Sequence, residues 1–274
     1  VTALLGAAGA LPTLLLALAL GAARAVPIVW LVPAFGGRDL PIAVRVGMGL
    51  ILASLGLPHL LPGAAAAALA ASGPLAWMLL AAREASIGVA VGMVVSFIFH
   101  AAEMAGGLAD VLRGASLGEV LSPASGTRSS PIGVLYLLAA TVIFLELGGL
   151  GRLAGALARS YEALPIAGGA AGGASVATVR SAAGLVLSSS AKLIGAAIGL
   201  AAPVIVALLL ADVALGFVGR VTPAAPIYFV AMPLKALLGV GVVLLGLGAL
   251  EAALVAGLPG WMRLAEQGLG LQAR

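Results

Sequence analysis

Residues 216–235 read "GFVGRVTPAAPIYFVAMPLK", an apolar run interrupted by Pro223, Pro226 and Pro233 and carrying Arg220 and Lys235. The chain around it is nearly free of charge: 62% of its 274 residues are hydrophobic and 9% are charged, against roughly 25% charged in a soluble domain. That composition marks a membrane-class protein, whose recurrent runs reach the roughly 20 apolar residues that span a hydrocarbon core. Inside such a run each proline removes a backbone donor and leaves a carbonyl that neighbouring protein or water must satisfy. The stretch therefore reads as helix surrounded by protein, and it sets how the rest of the chain is read.

Outward from it, hydrophobic segments are predicted at about 11–35, 42–71, 76–102, 132–151, 183–218 and 223–257. They run too long for barrel strands of about 10 residues and lack strict alternation. The predicted class is an all-α polytopic membrane protein of about six long, broken helices. Breaks are expected at "GLPHLLPG" (56–63) and "ASGP" (71–74). One integral domain is expected over 1–274, with two less apolar stretches read as loops. The first, 100–131, carries Glu103, Asp110, Arg113, Glu119 and Arg128 before a Ser/Gly/Pro cluster. The second, 151–181, holds the Gly/Ala-rich "GGAAGGAS", which reads as flexible linker. The first apolar run has no basic lead and no cleavage pattern, so a removable signal peptide is not expected.

Charge placement excludes several functions. The 14 basic and 10 acidic residues are scattered singly, without the clustered patch that nucleic acid requires. Absence of cysteine removes disulfides, thiolate metal sites and cysteine nucleophiles. His59 and His100 share no metal-ligand spacing, so no metal site is expected. "SSAK" (189–192) matches Ser-x-x-Lys but lacks the companion motifs of serine acyl enzymes, and no phosphate loop occurs. No catalytic residue and no cofactor site is predicted, and the chain reads as a non-enzyme.

The positive-inside count orients nothing. If the segments alternate sides, Arg83, Arg152, Arg159, Arg180, Arg263 and Arg274 face Arg38, Arg45, Arg113, Arg128 and Arg220. Ionisable residues within the apolar segments must be paired, hydrated or snorkelling. Glu84, Glu146 and Glu251 fit residues near segment ends, whereas Arg24 and Asp212 have apolar flanks on both sides. A turn near 219–223 would set Asp212 against Lys235 or Arg220, either fixing a hairpin or lining a polar path or subunit contact. Gly88/Gly92 and Gly195/Gly199 have the spacing that permits close helix approach.

The order of these unusual residues resembles the export-gate subunit of type III secretion systems, called SctT in injectisomes and FliR in flagella. "ARAVPIVWLVPAFGGRDLPIAVRVGMGLILA" has the family's first two helices, with Arg24, Pro33 and Arg45. "AAREASIGVAVGMVVSFIFHAAEMAGGLADVLRGAS" resembles its third helix through Glu84, Gly88, Gly106, Asp110, Arg113 and Gly114. "RSYEALPIA" is similar to a Ser-Tyr-x-x-x-Pro element. "APVIVALLLADVALGFVGRVTPAAPIYFVAMPLKALLGV" looks like the family's most recognisable region, with Pro203, Asp212, Gly216, Arg220, Pro223, Pro226, Pro233 and Lys235. Arg-Gly-Ala-Ser and Pro-x-Ser-Gly look more like the injectisome branch, with a flagellar FliR as the alternative.

The resemblance implies a subunit of the bacterial inner membrane, present in single copy. It would join SctR/FliP-like and SctS/FliQ-like subunits in a helical, pore-forming gate for unfolded export substrates. An SctU/FlhB-like switch subunit would lie at the entrance. Hairpins packed against neighbouring subunits and raised largely out of the bilayer plane would tolerate the prolines and charges. The resemblance also implies a pore plug after the third helix, mapped to about Gly114–Ser130 with Gly114, Ala115, Ser116, Pro123, Ser125 and Gly126. Assembly or buried polar contacts are expected at Arg24, Arg45, Glu84, Asp110, Asp212, Arg220, Pro223, Pro226, Pro233 and Lys235. Two other classes compete. A secondary transporter would use Arg24, Asp212 and Lys235, but the inverted repeats that would favour it are not found. An intramembrane hydrolase would use Ser189 and Lys192.

Overall fold

A computed structural model describes residues 2–36, 40–55, 73–114, 130–165, 172–222 and 227–268. Its helices are α1 (Thr2–Leu31), α2 (Ile42–Ser54), α3 (Pro74–Leu112), α4 (Pro131–Glu146), α5 (Gly149–Ala163), α6 (Gly172–Val221) and α7 (Ile227–Gly268). A 3-10 turn, Pro33–Phe35, follows α1, and no strand occurs among the described residues. The fold is that of an all-α polytopic membrane protein. α3, Val179–Val221 of α6 and Ala231–Gln267 of α7 are long and apolar enough to cross a membrane. α4 and α5 together make a fourth candidate span, bent by 65°.

Breaks follow the local chemistry. Gly36 ends the Pro33–Phe35 turn in the left-handed region (φ 100°), its N–H donating to Pro33 O. Gly148 takes φ 68° between α4 and α5, a conformation that carries little strain only in glycine. The segment predicted at 132–151 is thereby split into two helices. In the 42–71 segment the described helix is Ile42–Ser54, and residues 56–71, with the break expected at 56–63, lie outside the described residues.

Both expected loops need correction in their extent. α3 continues to Leu112, well into 100–131, because Glu103 and Asp110 fall at positions where helical neighbours partner them: His100 Nδ1 lies 3.2 Å from Glu103, and Asp110 pairs with Arg113 three residues on. Most of 151–181 is also helical. Leu153, Ala156, Leu157, Ser160 and Tyr161 are buried on one face of α5, spaced as an amphipathic helix spaces its core side. Arg152, Arg159 and Glu162 occupy the open side, so the charges that suggested a loop are the solvated face of a helix. α6 then begins at Gly172, inside the stretch read as linker.

The chain divides into two compact units, and the division falls inside α3, α4, α6 and α7. The first holds Val1–Phe97, Phe144–Ser190 and Pro259–Arg274. There α1 packs on α2, with Gly49 against Val26, where a Cβ would come 3.1 Å from the Val26 Cα. α1 also lies on α3. A Cβ at Gly88 would overlap the Arg24 backbone carbonyl, and one at Gly92 would come 3.1 Å from the Ile28 Cα. Phe97 and Trp261 meet edge to face at 6.3 Å. The second unit holds Ile98–Ile143 and Ala191–Leu258. In it α3 meets α4 where Gly106 faces the Ile132 and Gly133 backbone, and Gly239 of α7 lies against the Arg113 side chain.

Candidate functional site

Arg24 sits in α1 with no solvent exposure. Its Nε donates to Glu84 Oε2 at 2.6 Å, and its Nη1 donates to Ser160 O at 3.0 Å and Ser160 Oγ at 2.9 Å. Nη2 donates to Leu164 O at 2.9 Å, and the guanidinium lies 4.6 Å from the Tyr161 ring centroid. Arg83 Nη1 donates to Glu84 Oε1 and to Pro165 O, both at 3.3 Å. Tyr161 closes the cluster by donating its hydroxyl to Gly21 O at 2.9 Å.

The physics of this cluster is that of a helix end. The last carbonyls of a helix lack intrahelical donors and carry partial negative charge, and Arg24 and Arg83 supply donors and positive charge around the end of α5. Glu84 lies between the two guanidiniums, which offsets part of the cost of burying these charges. With its carboxylate held by two arginines, the cluster joins α1, α3 and α5. Glu84 is therefore not a residue reaching an interface from a segment end. It is wholly buried, and its partner is Arg24.

Asp110 organises a second cluster, in the other unit. Its Oδ1 accepts from Arg113 Nε at 2.6 Å, and its Oδ2 accepts from Ser130 Oγ at 2.5 Å and from Ile132 N at 2.9 Å. Ser130 Oγ in turn accepts from Gly133 N at 3.0 Å. Ser130 thus acts as N-cap to α4 with Pro131 at the first helical position, a combination favoured because proline has no N–H to satisfy there. The anionic Asp110 lies at the same positive helix end. Gly114 closes α3 at φ 83°. One carboxylate hence joins the residues on either side of 115–129. Ala115, Ser116, Pro123, Ser125 and Gly126 themselves lie outside the described residues.

Asp212 and Lys235 form the third cluster, with Lys235 Nζ 2.8 Å from Asp212 Oδ1 and 2.9 Å from Oδ2. The pair joins α6 to α7 and is open to the surroundings, its side chains 48% and 18% exposed respectively. Arg220 is exposed, and so is Pro233 within α7. Pro223 and Pro226 lie outside the described residues. Arg45 is largely buried on α2, with its guanidinium 5.2 Å from the Trp30 ring centroid and its Nε without a hydrogen-bond partner. For the hydrolase reading, Ser189 is buried with its hydroxyl unpartnered, while Lys192 is exposed.

Sequence reasoning marked Arg24, Glu84 and Asp110 but missed what holds them. Ser160 and Tyr161 lay in the quoted "RSYEALPIA", and the period-3.6 burial pattern of 153–161 was the signal that would have turned them inward. Ser130 was legible as a cap directly before Pro131.

Comparison with known proteins extends these observations. Residues 15–257 match the family described as bacterial export proteins, family 1. The secretion system apparatus protein SsaT of Salmonella typhimurium is 30% identical over 59% of this chain, and the matched chain spans 60% of that protein's length. The surface presentation of antigens protein SpaR of the same organism is 29% identical over 83% of this chain and 81% of its own. The flagellar biosynthetic protein FliR of Pectobacterium carotovorum is 27% identical over 82% and 80%. The relatives include proteins named for secretion and proteins named for flagellar biosynthesis. The chain belongs to the bacterial export proteins, family 1, the group of SctT-type and FliR-type proteins that its residue order resembles.

Proposed function

We propose that this chain is a core subunit of a type III secretion export gate. In it the chain would form, with SctR-like and SctS-like subunits, the pore that passes unfolded protein across the inner membrane. Its relatives belong to export apparatus, and the gate, its partners and its membrane are the finer reading drawn here. The observation that carries this reading is the openness of α6 and α7. Only 22% of the apolar window in each is buried within the chain, against 72% in α3. Leu210, Phe217, Leu237 and Leu245 are exposed beside the half-exposed Asp212–Lys235 pair. An apolar surface that also carries ions and prolines suits protein neighbours better than lipid, because only protein can satisfy both.

The Asp110 cluster supports a plug role for 115–129. A segment that must move aside while its subunit stays assembled needs fixed ends, and Asp110 joins Arg113 to Ser130 and Ile132. The SctU-like switch subunit belongs to the same reading. The Arg-Gly-Ala-Ser and Pro-x-Ser-Gly details of the sequence favour the injectisome branch.

Native mass spectrometry of the tagged, detergent-extracted protein, co-expressed with its operon, tests the proposal. One copy bound to several copies of two smaller membrane proteins is expected. A lone monomer or homodimer from a well-expressed operon would remove the gate reading. Deleting residues 118–127 should raise membrane conductance to small solutes, and unchanged conductance would sink the plug.

A further inference from the structure

The open faces of α5 and the end of α7 enclose a pocket of about 300 Å³. Arg152, Gly155 and Arg159 line it from α5 at positions i, i+3 and i+7, and Arg263 and Glu266 line it from α7. Pro259 and Met262 complete the lining on the α7 side. Gly155 makes the room: its absent side chain would have met only Arg159 Nη1, at 3.7 Å. Three guanidiniums stand against one carboxylate. Arg159 Nη2 reaches Glu266 Oε1 only at 3.4 Å, with the arginine side chain 58% exposed, so its donors are loosely engaged. The clusters at Arg24, Asp110 and Asp212 leave this one unused.

We propose that this pocket binds the phosphate of an anionic phospholipid headgroup. Guanidiniums match phosphate oxygens with paired donors, and a pocket with an excess of two positive charges holds an anion against water. Location points to lipid as the source. Arg263 and Glu266 stand at the end of the Ala231–Gln267 candidate span, where headgroups lie. The exposed side of α5, which carries Arg152 and Arg159, is its polar one. The proposal does not depend on which subunits surround the chain.

Native mass spectrometry tests it on the assembly co-purified with its operon partners and exchanged into phosphatidylglycerol or phosphatidylcholine nanodiscs. Phosphatidylglycerol should stay bound preferentially. Substituting Arg152→Gln, Arg159→Gln and Arg263→Gln should lower its retention about fivefold per arginine. Glu266→Gln should raise retention by removing the opposing charge, and Gly155→Leu should lower it by filling the pocket with no charge change. Equal phosphatidylglycerol retention by the triple variant would overturn the site. Displacement of the lipid by millimolar inorganic phosphate would reassign the pocket to a soluble anion. Protection of these arginines from phenylglyoxal in delipidated assembly but not in the isolated chain would assign it to an acidic partner segment, which also overturns the lipid proposal.

Discussion

Two ion pairs in this chain use the same chemistry to different ends. Arg24–Glu84 is wholly buried, and the carbonyls, hydroxyl and ring around it are supplied by the chain itself. Asp212–Lys235 is half open, on helices whose apolar windows are mostly uncovered. Their glycines differ in the same way. Gly88 and Gly92 are filled by α1, while Gly195 and Gly199 have nothing within 4 Å. The first region is filled by the chain itself, whereas on the export-gate reading the second is completed by neighbouring subunits, so substitutions in the first should damage folding and those in the second should damage association.

The largest effect on the isolated chain is expected from Arg24→Ala. It leaves Glu84 buried with only Arg83 nearby and strips donors from Ser160 O and Leu164 O, and breaking a buried pair this way costs about 3–5 kcal/mol. Thermal unfolding in detergent should show a large drop in Tm, together with loss of protein from membranes. The double replacement Arg24→Met with Glu84→Met should be milder than Arg24→Ala, since an apolar pair leaves no orphaned charge. A double variant as unstable as the single would mean that the carbonyl contacts, not the ion pair, hold the region.

Gly88→Ala comes next. The added Cβ would overlap the Arg24 carbonyl, a backbone atom that cannot swing aside, and overpacking of this kind costs about 1–3 kcal/mol. Gly92→Ala should be gentler, because part of what its Cβ meets is the Leu31 side chain, which has other rotamers. A Tm for Gly88→Ala equal to wild type would mean that α1 and α3 separate readily, which contradicts a region filled by the chain itself.

The sequence made these regions legible to different depths. Apolar length and low charge gave the helical membrane class, since both follow from composition alone. Gly88/Gly92 and Gly195/Gly199 looked identical, because spacing says that a helix permits approach and not whether another helix arrives. Arg24 was conspicuous by its apolar flanks, but its partners Glu84, Ser160 and Leu164 are 60 to 140 residues away, beyond any local pattern. Asp212 could be set against Lys235 or Arg220 because a short turn limits the register of a hairpin, and the structure pairs it with Lys235. α5 was lost for a simpler reason: its charges drew attention from the period of its apolar residues.

Lys235→Ala sharpens the contrast from the other side. An exposed pair contributes about 0–1 kcal/mol, so the isolated chain should keep its Tm to within a few degrees. Recovery of co-expressed export subunits should nevertheless fall severalfold, as it should for Arg220→Ala. Full recovery with Lys235→Ala would make the pair a hairpin fastening and nothing more.

The smallest effect on the chain alone is expected from Gly195→Leu and Gly199→Leu, where open space receives the new side chain and a surface change stays within about 0.5 kcal/mol. Leucine also favours helix over glycine by nearly 1 kcal/mol, so Tm should hold or rise slightly. If another subunit's helix lies in this groove, the same leucines block its approach, and partner recovery should fall while stability does not. Fold and assembly then respond in opposite directions to one substitution, which Gly88 cannot do because its groove is already occupied. Unchanged recovery would place the partner contact elsewhere on α6 and α7, with the Asp212–Lys235 end as the next place to probe.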